Sequence, residues 1–438
     1  MSYLLGVAII VLGLLISIGL HEIGHMLPAK KFGVRVPQYM VGFGPTLWSF
    51  TRGETEYGIK AIPLGGYVRL VGMYPPGKEG ATTKTGFFAQ AISGAREAST
   101  EEIRPGEEHR AFYNLSMGKK IIVMFGGPFM NLVIAFFLMA VVAVGFGAMT
   151  PTTTLGSVSE CVIPAVAPAD ASCSDETPAA PGAAANLLPG DTITEWDGQA
   201  ITDWDQLSAL ISATGGRTVA VTYLRDGQIQ TGEITPVVAQ RPVFDELGQP
   251  VLDADGKQAY EDKGFVGISP TQELQRQSIT VVPQQIGYQL KAVSKIILTL
   301  PQRLVDISQA AFGSEERDPN SVVGVVGIGR FAGELASADI AGYTPKLIAA
   351  DLTSMLAGLN IALFAFNMIP LLPLDGGHIA GAVYEGTRRG VAKMRGKRDP
   401  GPADTARMVP VAYVVFALLA GMSLLLIYAD IVKPIQFL

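Results

Sequence analysis

Charge is scarce in this chain, and so are the residue types that bind metals or cross-link. Asp, Glu, Lys and Arg make up only 16% of the 438 residues, and mean hydropathy is +0.32. Those values argue against a chain that is soluble throughout. Basic residues number 33 against 39 acidic ones, a net charge of −6, and no nucleic-acid partner is expected. With two cysteines, Cys161 and Cys173, a disulfide-dense scaffold is excluded. Set twelve apart in an Ala/Pro/Ser-rich stretch, they either close a small disulfide in an oxidising compartment or stay as two thiols. Histidine occurs only four times, so where the histidines stand carries weight.

What the chain has instead is long apolar runs. Stretches long enough to span a bilayer fall at about Tyr3–Leu20, Ile121–Ala148, Met355–Leu374 and Met408–Tyr428, against a need for roughly 20 residues. The first run has no positively charged n-region and no small-residue cleavage site, so it is expected to remain as a helix rather than leave as a signal peptide. Charge orients the runs, because loops rich in Lys and Arg stay cytoplasmic. The segment Met26–Lys120 carries thirteen Lys/Arg against eight acids, and Gly377–Arg407 seven against three. Thr150–Ala350 carries twelve against twenty-four. The first two segments are therefore expected inside and the third outside, with both termini, in a multi-pass plasma-membrane protein.

At the inner end of the first run stands His21-Glu22-Ile23-Gly24-His25. On a helix, residues i and i+4 share a face, so both imidazoles can reach one Zn²⁺ while Glu22 beside it serves as general base. The competing reading is a chance motif or a histidine pair on a buried helix. No charge interrupts Leu4–Leu20, however, and ionisable groups at membrane depth are costly without a function. Catalytic zinc needs a third protein ligand and an open position. If the first and third runs cross in the same sense, the inner end of the third shares the depth of His21 and His25, and there the sequence reads Asn367-Met-Ile-Pro370-Leu-Leu-Pro373-Leu-Asp375-Gly376-Gly377. Asp375 is the expected ligand and His378 the runner-up; a helix-ending Asp-Gly turn is the bland alternative. Asp351 lies 24 residues upstream, roughly 36 Å along a straight helix, and is excluded. Pro370 and Pro373 are expected to break the helix where a polar cavity tolerates irregular backbone. Asn367 is placed to hold a carbonyl or a developing oxyanion.

Together these residues resemble the site-2 protease family of intramembrane zinc metalloproteases, in the bacterial group that acts on membrane-anchored anti-sigma factors. The resemblance is carried by His21–His25 followed by Lys30-Lys31-Phe32-Gly33-Val34, and by Asn367-x-x-Pro370-x-x-Pro373-x-Asp375-Gly376. Further matches are Gly42-Phe43-Gly44-Pro45, Tyr57–Met73, Phe125-Gly-Gly-Pro128 with Asn131, and Gly324-Val-Val-Gly327-Ile328. The resemblance implies Zn²⁺ held by His21, His25 and Asp375, with Glu22 and Asn367 as catalytic residues. It also implies substrate contacts at Gly42, Phe43, Gly44, Gly65, Gly66, Asn131, Pro370 and Pro373. The outer segment has room for one PDZ-like module, as in the actinobacterial-type branch.

The expected fold is a polytopic α-helical membrane protein of about four transmembrane helices, with a membrane-associated β-hairpin and one extracytoplasmic PDZ-like α+β domain. Residues 1–150 hold the first two helices, the HExxH motif and the hairpin; 151–240 the PDZ-like domain; 241–345 a linker and amphipathic helix; 346–438 the last two helices. Tyr57–Met73, rich in β-formers, reads as a short curved hairpin that either adds substrate as a strand or shields the site from lipid. In the outer domain we expect a strand at Thr192–Trp196, a turn at Asp197-Gly198, a helix from near Thr202 and a strand pair around Asp226-Gly227. Leu155-Gly156-Ser157-Val158 is the candidate loop for a peptide C-terminus, with a size filter as the rival role. Gln272–Ala311 reads as helical, Gly381–Pro402 as an inner loop and His109 as a solvated residue.

The expected activity is cleavage of single-pass membrane proteins in the lipid bilayer, such as an anti-sigma factor trimmed by an earlier cut. A catalytically inactive PDZ-type receptor is the main alternative. A transporter is the other, and the lack of an evident inverted repeat weighs against it.

Overall fold

The structure is a computed structural model that describes all residues except 1, 78–85, 164–171, 175–176, 245–250, 252, 254–256, 314–316, 319–320, 340–342 and 436–438. In chain order the helices are α1 (Ser2–Lys31), α2 (Phe87–Glu101), α3 (Met117–Ala140), α4 (Pro181–Ala184), α5 (Trp204–Ala213), α6 (Val282–Phe312), α7 (Val325–Ser337), α8 (Pro345–Asn367), α9 (Asp375–Met394) and α10 (Val409–Val432). The strands are β1 (Gln38–Arg52), β2 (Thr55–Arg69), β3 (Ala148–Val158), β4 (Thr192–Trp196), β5 (Gln199–Ala200), β6 (Val219–Arg225), β7 (Gln228–Ile234), β8 (Val237–Pro242), β9 (Tyr260–Phe265) and β10 (Ile268–Gln275). Two compact units result: Met1–Val142 with Ser278–Leu438, and Ala143–Gln277.

Helices long and apolar enough to cross a membrane lie at Ser2–Lys31, Met117–Phe146, Pro345–Asn367 and Thr405–Val432, all within the first unit except the last four residues of the second. Their large apolar side chains stay exposed, among them Leu4, Leu12 and Ile16 on α1, Phe137 on α3, and Phe416 and Leu418 on α10. That is the pattern of a surface solvated by lipid tails. α1 runs well past its apolar stretch, so the HExxH residues sit inside the helix, as expected. It ends at Lys30 and Lys31, whose charges suit a helix C-terminus, and Gly33 at φ +86° turns the chain away.

The third span differs from expectation. It starts earlier, at Pro345, capped by the Thr344 hydroxyl, and its helix stops at Asn367. Residues 368–374 form a bent loop holding Pro370 and Pro373, and a new helix starts at Asp375. Prolines three apart leave no unbroken run for helix bonding, so the apolar pattern outlasts the helix. The segment expected as an inner loop, Gly381–Pro402, is largely helical because α9 continues to Met394. Likewise β10 occupies part of the expected helical stretch Gln272–Ala311, and α6 begins only at Val282.

The hairpin is also larger than the Tyr57–Met73 reading. β1 and β2 span Gln38–Arg69, and the turn is at Gly53, φ +66°, where Arg52 pairs with Thr55. Gly65-Gly66 is a bend within β2. Both strands fold back on themselves, so Gln38–Val41 pairs with Gly66–Arg69 on one side and Glu56–Ile59 on the other. His109 is exposed in a short 3₁₀ turn.

The second unit extends beyond the expected 151–240, because β9 and β10 belong to it. Its main sheet has the order β10-β3-β4-β6-β7, with β5 beside β4, around a core of Leu155, Ile193, Trp196, Leu207, Ile211 and Val266. β4, the Asp197-Gly198 turn, α5 with Asp203 as N-cap, and the β6–β7 hairpin all occur where the sequence placed them. Cys161 and Cys173 are joined by a disulfide. Asp191 is buried, which raises its carboxyl, but hydrogen bonds from the Arg225 guanidinium and the Leu188 amide hold it below the usual carboxylate range.

α1 and α3 meet backbone to backbone. A Cβ on Gly24 would strike the Gly126 carbonyl, and one on Gly126 the Gly24 carbonyl. Gly126→Val is expected to cost about 1–3 kcal/mol as an overpacked contact and to lower the thermal midpoint of the purified protein. Gly118→Ala, in open space on the same helix, is the control that should not.

Candidate metal centre

α1, α3 and α9 converge on one cluster. His21 and His25 lie one turn apart on α1, and Asp375 is the first residue of α9, brought to them by the loop after Asn367. Gly376 and Gly377 make that loop possible: a Cβ on either would collide with backbone of Met368–Leu372. The helix N-terminus can therefore nest under the loop. His21 Nε2 is 3.2 Å from His25 Nε2, and Asp375 Oδ2 lies 3.3 Å and 3.4 Å from those nitrogens.

These three distances fit a metal. Ligands bound at zinc's 2.0–2.1 Å in tetrahedral geometry stand about 3.3 Å apart, so the three atoms outline one face of such a tetrahedron. The protein alone leaves them unsatisfied. Asp375 Oδ2 is buried without a regular hydrogen bond, and imidazole lone pairs facing each other repel unless a cation lies between them.

Both rings are fixed from behind by α3. His25 Nδ1 is 2.8 Å from the Val123 carbonyl oxygen, which can only accept, so Nδ1 carries the proton and the Nε2 lone pair is free. His21 Nδ1 lies 3.1 Å from Asn131 Nδ2, while Asn131 Oδ1 is buried without a partner. Turning the amide over places Oδ1 against an Nδ1–H, which satisfies the oxygen and gives His21 the same tautomer as His25. Asn131, expected to touch substrate, thus stands behind a ligand. That pairing of Asn131 with His21 had no sequence signal beyond Asn131 lying near the Phe125-Gly-Gly-Pro128 motif.

Glu22 is 9% exposed, next to both imidazoles on α1. The bend of β2 meets it: a Cβ on Gly66 would come within 3.2 Å of Glu22 Cγ. Gly42 approaches the Ile62 carbonyl, and Gly44 and Gly65 adopt positive φ, which lets the sheet curl there. Phe43 is half-exposed and stacks on Tyr67. Asn367 closes α8, and Pro370 and Pro373 are exposed in the following loop. Among the described residues His378 is not part of the cluster; burial pushes its imidazole down to about 4. Asp351 bonds Tyr343 instead.

The comparisons agree with this geometry. The family model described as peptidase family M50 matches residues 9–398. A protein named zinc metalloprotease Rip1 from Mycobacterium tuberculosis is 31% identical over 443 residues, covering 100% of this chain and 99% of its own. Its namesake in Mycolicibacterium smegmatis is 32% identical over 449 residues, with the same coverage. A putative zinc metalloprotease of Mesorhizobium japonicum is 27% identical over 84% of this chain and 85% of its own. The chain belongs to peptidase family M50, the site-2 protease family, and is a membrane zinc metalloprotease.

Proposed function

We propose that this protein cuts single-pass membrane proteins within the bilayer, near the cytoplasmic leaflet, after another protease has trimmed the client's outer domain. Trimmed anti-sigma factors are the client class that fits the family resemblance. The observation that carries the reading is the three-ligand face with Glu22 beside it, on a helix apolar enough to span a membrane. His21, His25 and Asp375 hold Zn²⁺. Bound there, zinc supplies Lewis acidity and lowers the pKa of a water to about 7. Glu22 takes the proton from the attacking water and delivers it to the leaving amide nitrogen. Asn367 orients the scissile carbonyl from the end of α8.

A transmembrane substrate arrives as a helix with its amides satisfied, so an unwound stretch needs new partners. The edge of Gly66–Arg69 turned away from Gln38–Val41 supplies them, next to Glu22. It borders a groove of about 560 Å³ whose far wall is Ala95, Ala98 and Ser99 of α2. We place the loops 26–120 and 377–407 in the cytoplasm and the second unit, a PDZ-like domain, outside the cell, on the charge imbalance of the sequence.

The second unit acts as a size filter rather than a receptor for a peptide C-terminus. In the expected carboxylate loop, the Leu155 amide donates to Asp191 O, and Ser157 and Val158 stand opposite Ser269 and Ile268 of β10. The Leu155 amide is thus already engaged, and β10 occupies one side of Ser157–Val158.

Glu22→Gln should retain about one zinc per chain and lose cleavage by at least about 10²-fold, read on a gel with a tagged, outer-truncated client and by metal analysis. A variant without zinc would remove Glu22 from the base role. Asn131→Leu is expected to weaken zinc binding about 10–100-fold in competition with a chelator; unchanged affinity would make Asn131 a packing residue. Gly66→Val should lower kcat/KM at least about tenfold by displacing the strand edge, with zinc content intact, and retained cleavage would remove that edge from substrate binding.

A further inference from the structure

We propose that the buried ion pair of Lys120 and Glu385 is a positioning device for the third metal ligand. By fixing α9 on α3, it sets where Asp375 stands relative to His21 and His25. Lys120 is in the first turn of α3, and its Nζ lies 2.9 Å and 2.8 Å from the two oxygens of Glu385 on α9. Both side chains are buried, 6% and 4% exposed. The carboxylate is saturated: Oε1 also accepts from Arg389 Nη1 at 3.3 Å, and Oε2 from the Ala403 amide at 2.9 Å. The next residue, Gly386, fits against Met117, where a Cβ would overlap the thioether.

The pair matters because of what else α3 holds. Val123 fixes the ring of His25, Gly126 and Gly127 receive Gly24 and His25, and Asn131 faces His21. Two ligands are thus referenced to residues 123–131 of α3. The third sits at the start of α9, ten residues from Glu385, about 15 Å along the helix axis. Its loop, residues 368–374, is irregular. Lys120–Glu385 gives α9 the same reference helix that the histidines use. Buried ion pairs rarely add net stability over apolar packing, and fixing a unique arrangement is the better-attested reason for having one.

The proposal rests on Asp375 as a ligand, and the test separates the two. Full-length protein in detergent is titrated with zinc against a chelator, and kcat and KM are measured on a tagged single-pass client. The variants are Lys120→Met, Glu385→Gln, Lys120→Arg, Asp375→Asn and, as a distant control, Asp430→Asn. Asp430 forms an equally buried pair with Arg317, 1% and 3% exposed, on α10. We expect Lys120→Met and Glu385→Gln to weaken zinc about 10–100-fold and to lower kcat more than KM, with Lys120→Arg recovering most of the affinity. Asp430→Asn should lower the thermal midpoint and leave zinc affinity unchanged. Unchanged affinity and kcat in both Lys120→Met and Glu385→Gln would overturn the proposal. So would an equal loss in Asp430→Asn, which would report general destabilisation. Unchanged affinity in Asp375→Asn would overturn the ligand assignment, and the proposal with it.

Discussion

The close approach of α1 and α3 at Gly24 and Gly126 is the contact on which the metal centre depends. Three ligand atoms from two separate helices must meet on a triangle with edges of 3.2 to 3.4 Å, and side-chain flexibility cannot supply that tolerance. The geometry has to be set in backbone. Two glycines allow the helices to touch, so the Val123 carbonyl reaches His25 Nδ1 and Asn131 reaches His21. In a bilayer, apolar helices gain little by leaving lipid for one another, and small residues are how they come close enough for packing and hydrogen bonds to act.

A second constraint is the cost of charge. Glu22 and Asp375 sit at the ends of apolar segments, where an unpaired ion would be expensive. Elsewhere the protein meets this with partners rather than solvent: three donors around Glu385, and for Asp430 both Arg317 and the Gly327 amide. Glu22 differs in kind. It lies among histidines that a cation would occupy, and so it remains available to take a proton.

Much of this site was legible because its signals are local. The i, i+4 histidines need only a helix, and the apolar run before them supplies it. Asp375 was reached by a longer argument, from the sense in which the spans cross, which works because a membrane turns topology into depth. Other features depend on partners far apart in sequence. The Lys120–Glu385 pair joins residues 265 apart, and neither has a distinctive local pattern. The strand β10 carries apolar and polar residues that suit a helix as well as a strand, and its pairing with β3, over a hundred residues earlier, decides the matter. The helix α9 was hidden by composition, since its basic, glycine-containing sequence reads as a loop until its packing on α3 is known.

Sheet edges in the two units differ in what lies beside them. An uncovered strand edge is a liability, because its free amides and carbonyls will pair with any extended chain. The second unit closes the edge of β3 with its own β10, and β10 carries Pro270, which has no N–H to offer a further strand. In the first unit, among the described residues, no strand pairs with Gly66–Arg69 on the side away from Gln38–Val41. That open edge is next to Glu22, where an extended chain is the form a hydrolase requires. Beside the general base, an added strand would lie where chemistry can act on it.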